Sequence, residues 1–112
     1  MFLCADNMRV GIVTNHLPIS KVPASLSVEG ILSKIRVMDK SLRRDFGIVR
    51  PKIAVMGLNP HAGDGGLLGK EETEIITPAI ETACSEGILA FGPYSPDGFF
   101  SNNQQCIYDA VL

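Results

Sequence analysis

Residues 52–72 read KIAVMGLNPHAGDGGLLGKEE, and this stretch decides the fold. Its first seven residues, Lys52 to Leu58, are short, almost wholly apolar and contain a β-branched pair, the pattern of a strand buried on both faces in a parallel sheet. Asn59-Pro60-His61 then leaves the strand stiffly, and Gly63, Gly65 and Gly66 make the following segment permissive. Glu71, Glu72 and Glu74 place negative charge where the positive pole of a helix would lie, so a helix is expected from near Gly69. It should end at Gly87. Pro78 falls inside it, and an interior proline costs about 3 kcal/mol in a straight helix, so a kink or break is expected near Thr77.

The same alternation extends in both directions. Arg9 to Thr14, RVGIVT, is a second buried-strand pattern, and it opens into Asn15-His16-Leu17-Pro18. Ile31, Ile35, Met38 and Leu42 recur at helical spacing, with Ser27 placed to cap and Gly47 to stop a helix over Val28 to Phe46. On the carboxyl side, Ile88 to Phe91 reads as a strand and Gly92 to Gly98 as a turn-rich loop. Ile107 to Leu112 begins a fourth strand. Strands separated by helices predict an α/β fold, a mostly parallel sheet with flanking helices, in one domain over 1–112.

Composition narrows the function. The chain has 112 residues, 46% of them hydrophobic, enough for one small core. A net charge of −2 with scattered Lys and Arg gives no basic stripe, which argues against a nucleic-acid partner. No apolar run approaches the ~20 residues of a membrane span, and the first residues do not read as a secretory leader. Cys4, Cys84 and Cys106 are odd in number and widely spaced, unlike a disulfide framework or a metal knuckle. They are read as reduced, buried thiols of a cytoplasmic protein.

In open α/β sheets ligands gather beyond the carboxyl ends of the strands. Both histidines of the chain, His16 and His61, fall there, one after each of two strands expected to be neighbours. Imidazole is a common ligand of zinc and other divalent metals, so a shared metal site is one reading and ordinary surface histidines the other. A third ligand is not evident; Asp64, Asp97 and Asp109 are the carboxylates near strand ends. The glycine run is neither standard phosphate loop. A Walker loop would need glycine at Asp64 and a hydroxyl at Glu71, and the dinucleotide fingerprint would need glycine at Leu68. Gly63 to Gly66 is therefore either an ordinary strand-to-helix connection or a loop that lets backbone approach a ligand.

The run Ile53 to Gly66, with Gly69-Lys70-Glu71-Glu72 after it, resembles the signature of the 4-hydroxythreonine-4-phosphate dehydrogenases, the PdxA family. Arg9 to Ile19, Gly92-Pro93 and Tyr108 to Leu112 are similar to further family segments in the same order. The resemblance implies an isocitrate/isopropylmalate dehydrogenase-like fold. It also implies NAD- or NADP-linked oxidation and decarboxylation of a phosphorylated hydroxy amino acid, 4-phosphooxy-L-threonine, in pyridoxal phosphate biosynthesis. A divalent metal (Zn, or Mg, Co or Mn) held by three histidines is implied, His16 and His61 corresponding to two of them. The third histidine belongs to a segment that in the family follows the Ala-Val-Leu stretch. On this reading the chain is an internal fragment, inactive alone, of a homodimeric parent. The alternatives are a same-fold dehydrogenase for a four-carbon sugar-acid phosphate or a cis-dihydrodiol, and a non-catalytic metal-binding module.

Overall fold

The computed structural model describes all 112 residues. Five strands form one sheet in the order β1-β2-β5-β3-β4, where β1 is Phe2–Ala5, β2 Met8–Gly11, β3 Lys52–Met56, β4 Leu89–Tyr94 and β5 Ala110–Val111. All pairings are parallel except the hairpin of β1 with β2. The expected α/β class holds. Placing β5 in the sheet corrects one expectation: it pairs with both β2 and β3, so the two strands that lead to the histidines are not neighbours.

Residue alternation along the central strands builds two different faces. Ile53 and Val55 of β3 join Ala110 and Leu112 on one side, where they meet Ile31, Ile35, Met38 and Leu42 of α2 (Val28–Arg44) and Ala79, Ile80 and Ala83 of α3 (Thr77–Ser85). Ala54 and Val111 face the other way, against Phe99 of α4 (Pro96–Ser101) and the rings of Tyr94, Phe100 and Tyr108. The Tyr94 and Tyr108 hydroxyls are 2.6 Å apart. Burial, then the hydrogen bond to Tyr94, pushes the Tyr108 phenol up to about 12.

α2 is the element the sequence describes best. Ser27 caps it, its Oγ accepting from Gly30 N–H at 3.0 Å, and all four spaced apolar residues are buried. It ends at Arg44, two residues before the expected Phe46. A short helix α1 (Val22–Ser25) precedes it, in the connection that follows His16. The second predicted helix departs more from its reading. A wide, π-helical turn over Glu72–Ile76 runs directly into α3, which carries Pro78 in its first turn. Widening the backbone just ahead of the proline relieves the clash of its ring with the carbonyl four residues back. The break foreseen near Thr77 is thus an enlarged turn.

Three further expectations are corrected. The strand expected over Arg9 to Thr14 is β2, Met8–Gly11, which stops three residues early and pairs in a hairpin with β1, Asp6 at φ 50° turning the chain between Ala5 and Met8. Gly92 to Gly98 is not wholly loop, because β4 continues to Tyr94 and Pro96 opens α4. Cys4, Cys84 and Cys106 are free thiols, but all three are exposed rather than buried.

Candidate metal and ligand loops at the strand ends

β3 ends at Met56, and the next residues are held by a single carboxylate. Glu72, the first residue of the wide turn, is 3% exposed and is the one buried charged side chain of the chain. Its Oε1 accepts from Leu58 N–H at 2.7 Å and Asn59 N–H at 2.6 Å, and its Oε2 accepts from Asn59 Nδ2 at 2.9 Å. Asn59 Nδ2 also donates to Glu71 Oε2 at 3.0 Å. Both neighbours of that amide are acceptors, which fixes its orientation. Burial by itself raises the Glu72 carboxyl. The hydrogen bonds from the Asn59 backbone and side chain and from the Glu72 and Leu58 backbones outweigh it and leave the group below the ordinary carboxylate value.

Beyond this clamp the chain makes one left-handed turn. His61, Ala62, Gly63, Asp64 and Gly65 all have positive φ, between 47° and 83°. Three of the five are not glycine, and each such residue costs about 1–2 kcal/mol, so the turn stores about 3–6 kcal/mol. Backbone strain of this kind persists only where surrounding structure enforces it, and it concentrates at functional sites. The enforcing contacts are visible. A Cβ on Gly63 would lie 2.8 Å from Glu72 Oε2 and 2.9 Å from the Gly69 carbonyl, and one on Gly69 would overlap the Asn59 carboxamide. Gly65 and Gly66 differ: nothing lies within 4 Å of a Cβ at either. The glycine loop therefore has two parts, one packed around the clamp and one open to solvent.

His61 is exposed at the start of this turn. His16, also exposed and also at positive φ (57°), leaves the end of β2. The tips of β2 and β3 flank β5, two strand spacings apart, or roughly 10 Å. Between them opens a mostly apolar cleft of about 210 Å³, walled by Gly11 and Thr14 on one side, Met56 and Gly57 on the other, and Ile31 and Leu112 beneath. Neither imidazole lines it; both belong to the loops that leave its rims.

The candidate third ligands do not join them. Asp109 sits at the amino end of the central strand β5, where its Oδ2 accepts from Lys52 N–H at 2.8 Å, so it lies at the opposite end of the strands from the histidine loops. Asp97 is on α4, after β4. Asp64 is exposed in the turn that begins with His61. No group of three or more His, Cys, Asp and Glu side chains converges anywhere in the chain. His16 and His61 are thus two exposed imidazoles on separate loops, whose strands end roughly 10 Å apart, and they are not gathered into a cluster with a third ligating side chain.

The model for pyridoxal phosphate biosynthetic protein PdxA matches residues 1–112. The chain belongs to the PdxA family. A 4-hydroxythreonine-4-phosphate dehydrogenase of Bacteroides thetaiotaomicron is 44% identical over 112 residues, all of this chain and 31% of that relative. A crystal structure of a 4-hydroxythreonine-4-phosphate dehydrogenase from Klebsiella pneumoniae superposes with a TM-score of 0.91 at 37% identity, covering 98% of this chain and 33% of the other. A terephthalate 1,2-cis-dihydrodiol dehydrogenase from Burkholderia xenovorans superposes at 0.84 with 28% identity, over 94% of this chain and 33% of its own. The chain spans about a third of the length of the curated relatives it matches. Its sheet and helices are part of the family's isocitrate/isopropylmalate dehydrogenase-like α/β fold.

The Asn59-Glu72 clamp was not anticipated in the sequence, although a signal for it exists. Glu72 lies on the same helical stripe as Ile76, Ala79, Ile80 and Ala83, all buried. A carboxylate on an otherwise apolar, core-facing stripe must be satisfied by hydrogen bonds, and the polar groups of the preceding loop are the donors nearest in sequence.

Proposed function

We propose that this chain forms the part of a PdxA-type dehydrogenase that holds a divalent cation beside the substrate, with His16 and His61 as two of its ligands. The observation that carries the reading is the left-handed turn at residues 61–65: an exposed histidine is presented from strained backbone that a buried carboxylate keeps in place. His16 supports it from the other rim of the cleft, again at positive φ. The parent activity is NAD- or NADP-linked oxidation of the hydroxyl-bearing carbon of 4-phosphooxy-L-threonine, in pyridoxal phosphate biosynthesis. A bound nicotinamide would supply the hydride acceptor for that carbon, with the hydroxyl proton released, and the resulting β-keto acid would lose carbon dioxide.

A cation at this place, zinc or another divalent ion, supplies Lewis acidity that makes the hydroxyl more acidic and tolerates the negative charge of decarboxylation. The residues of the chain have separate tasks. His16 and His61 offer imidazole nitrogen from the loops that leave opposite rims of the cleft. Gly65 and Gly66 leave backbone open to a ligand, and the apolar walls formed by Ile31, Met56 and Leu112 reduce water access next to it. The remaining ligands, and the contacts to substrate phosphate, come from outside these residues. A cytoplasmic homodimer is the assembly and location that this reading carries; no helix here is long and apolar enough to cross a membrane.

Calorimetric titration with zinc tests the ligand assignment. The wild-type chain should bind weakly, with His16→Ala and His61→Ala each reducing the heat further; identical titrations for all three would refute it. The second reading, a same-fold enzyme acting on a cis-dihydrodiol, draws on the solved dihydrodiol dehydrogenase relative. Parallel assays of a full-length polypeptide bearing this segment, with phosphooxy-threonine and with a cis-dihydrodiol, separate the two.

A further inference from the structure

The clamp has a consequence for the metal loop itself. Between Asn59 and His61 stands only Pro60, whose ring fixes one of its two backbone torsions. The orientation of the Leu58 and Asn59 peptide groups is therefore passed on to the His61 Cα with little slack, and both peptide N–H groups donate to one oxygen of Glu72. The far side of the turn is tied back as well, with Leu68 N–H on the Gly63 carbonyl at 2.9 Å and Gly69 packed against the Asn59 carboxamide. Glu72 touches neither histidine. Its side-chain hydrogen bonds to other residues all come from Leu58 and Asn59, which launch the turn.

We propose that Glu72 is a positioning residue for the His61 imidazole, setting the direction of the left-handed turn through Leu58, Asn59 and Pro60; this rests on the metal reading above. A carboxylate is required there because two peptide donors converge on Oε1 while a third donor, Asn59 Nδ2, meets Oε2. An amide at this position turns one of those acceptors into a donor facing a donor. Losing the clamp frees His61, Ala62 and Asp64 to relax from left-handed backbone, and the ring moves with them.

The test uses cobalt(II) alone as the probe, titrated into metal-free protein and followed by its visible absorption and by competition with a chelating dye. Four proteins are compared at a temperature where all are folded by circular dichroism: wild type, His61→Ala, Glu72→Gln and Leu42→Ala. Leu42 is fully buried on α2, away from the loop, and controls for lost stability alone. Glu72→Gln should weaken cobalt binding on the order of 10- to 100-fold, as loss of groups that orient metal ligands does, while Leu42→Ala binds as wild type. Equal affinity of Glu72→Gln and Leu42→Ala overturns the proposal. If Glu72→Gln does not fold, Asn59→Ala decides, since it keeps the carboxylate and removes one donor: weakening beyond the Leu42→Ala control supports the proposal and unchanged affinity overturns it. Failure of the underlying reading looks different, with His61→Ala binding as tightly as wild type or no binding by any protein.

Discussion

Replacing Gly63 and Gly65 by alanine, one at a time, separates the two halves of the glycine loop by magnitude. Both glycines have positive φ, 83° and 66°, so each alanine meets similar backbone strain of about 1–2 kcal/mol. Each also gains about 0.4–1 kcal/mol from the stiffer unfolded chain. For Gly65→Ala nothing else changes, because no atom lies within 4 Å of the new methyl, and the net loss should be about 0–1.5 kcal/mol. For Gly63→Ala the methyl meets Glu72 Oε2 at 2.8 Å and the Gly69 carbonyl at 2.9 Å, so the carboxylate must withdraw from Asn59. A hydrogen bond to a charged group is worth about 1.5–3 kcal/mol, which raises the expected loss at Gly63 to about 2–4 kcal/mol. Urea unfolding with unchanged slope measures the difference directly as a shift in midpoint. Equal losses at the two positions would refute the view that Gly63 is packed onto the clamp while Gly65 is held open.

Other outcomes follow from the same structure. The Glu72 carboxyl is held below its ordinary value, so its contribution is complete above about pH 4.3 and is lost as pH falls through the lowered value. Urea midpoints taken between pH 6 and 3 should therefore show a shallower acid decline for Glu72→Gln than for wild type, Asp45 and Glu86 keeping the remainder. At the other extreme, Tyr108 is raised to about 12, so its contribution is present below the ordinary phenol value near 10 and lost as pH rises through 12. Ultraviolet titration should find a late phenolate, absent in Tyr108→Phe. Leu42→Ala, fully buried on α2, should cost about 2–5 kcal/mol in denaturant unfolding, with the spread set by how far the core closes over the gap.

Much of the scaffold is legible in the sequence, and the reasons differ by element. α2 announces itself because seventeen residues carry one apolar stripe, a serine cap and a terminal glycine, three independent signals that agree. β3 is legible because it is buried on both faces. The amino-terminal hairpin is hidden because its strands are four residues each and its turn, Asp6-Asn7, lacks the glycine that marks the commonest two-residue turns. α4 is hidden because Ser95-Pro96-Asp97-Gly98 is turn chemistry as much as helix-start chemistry, and only Phe99 docking on Ala54 and Val111 favours the helix. The position of β5 between β2 and β3 is a long-range fact that no local pattern carries. Residue spacing placed His16 and His61 on the loops after β2 and β3, though not after neighbouring strands, while the Glu72 clamp went unread because its charges were taken only as complements to the helix dipole.

X-ray absorption at the zinc edge of the zinc-loaded protein tests the central claim most directly. The account predicts imidazole scattering with nitrogen at about 2.0–2.1 Å, reduced in His16→Ala and in His61→Ala and lost when both are replaced. Spectra without imidazole scattering, or spectra unaltered by either substitution, would contradict it.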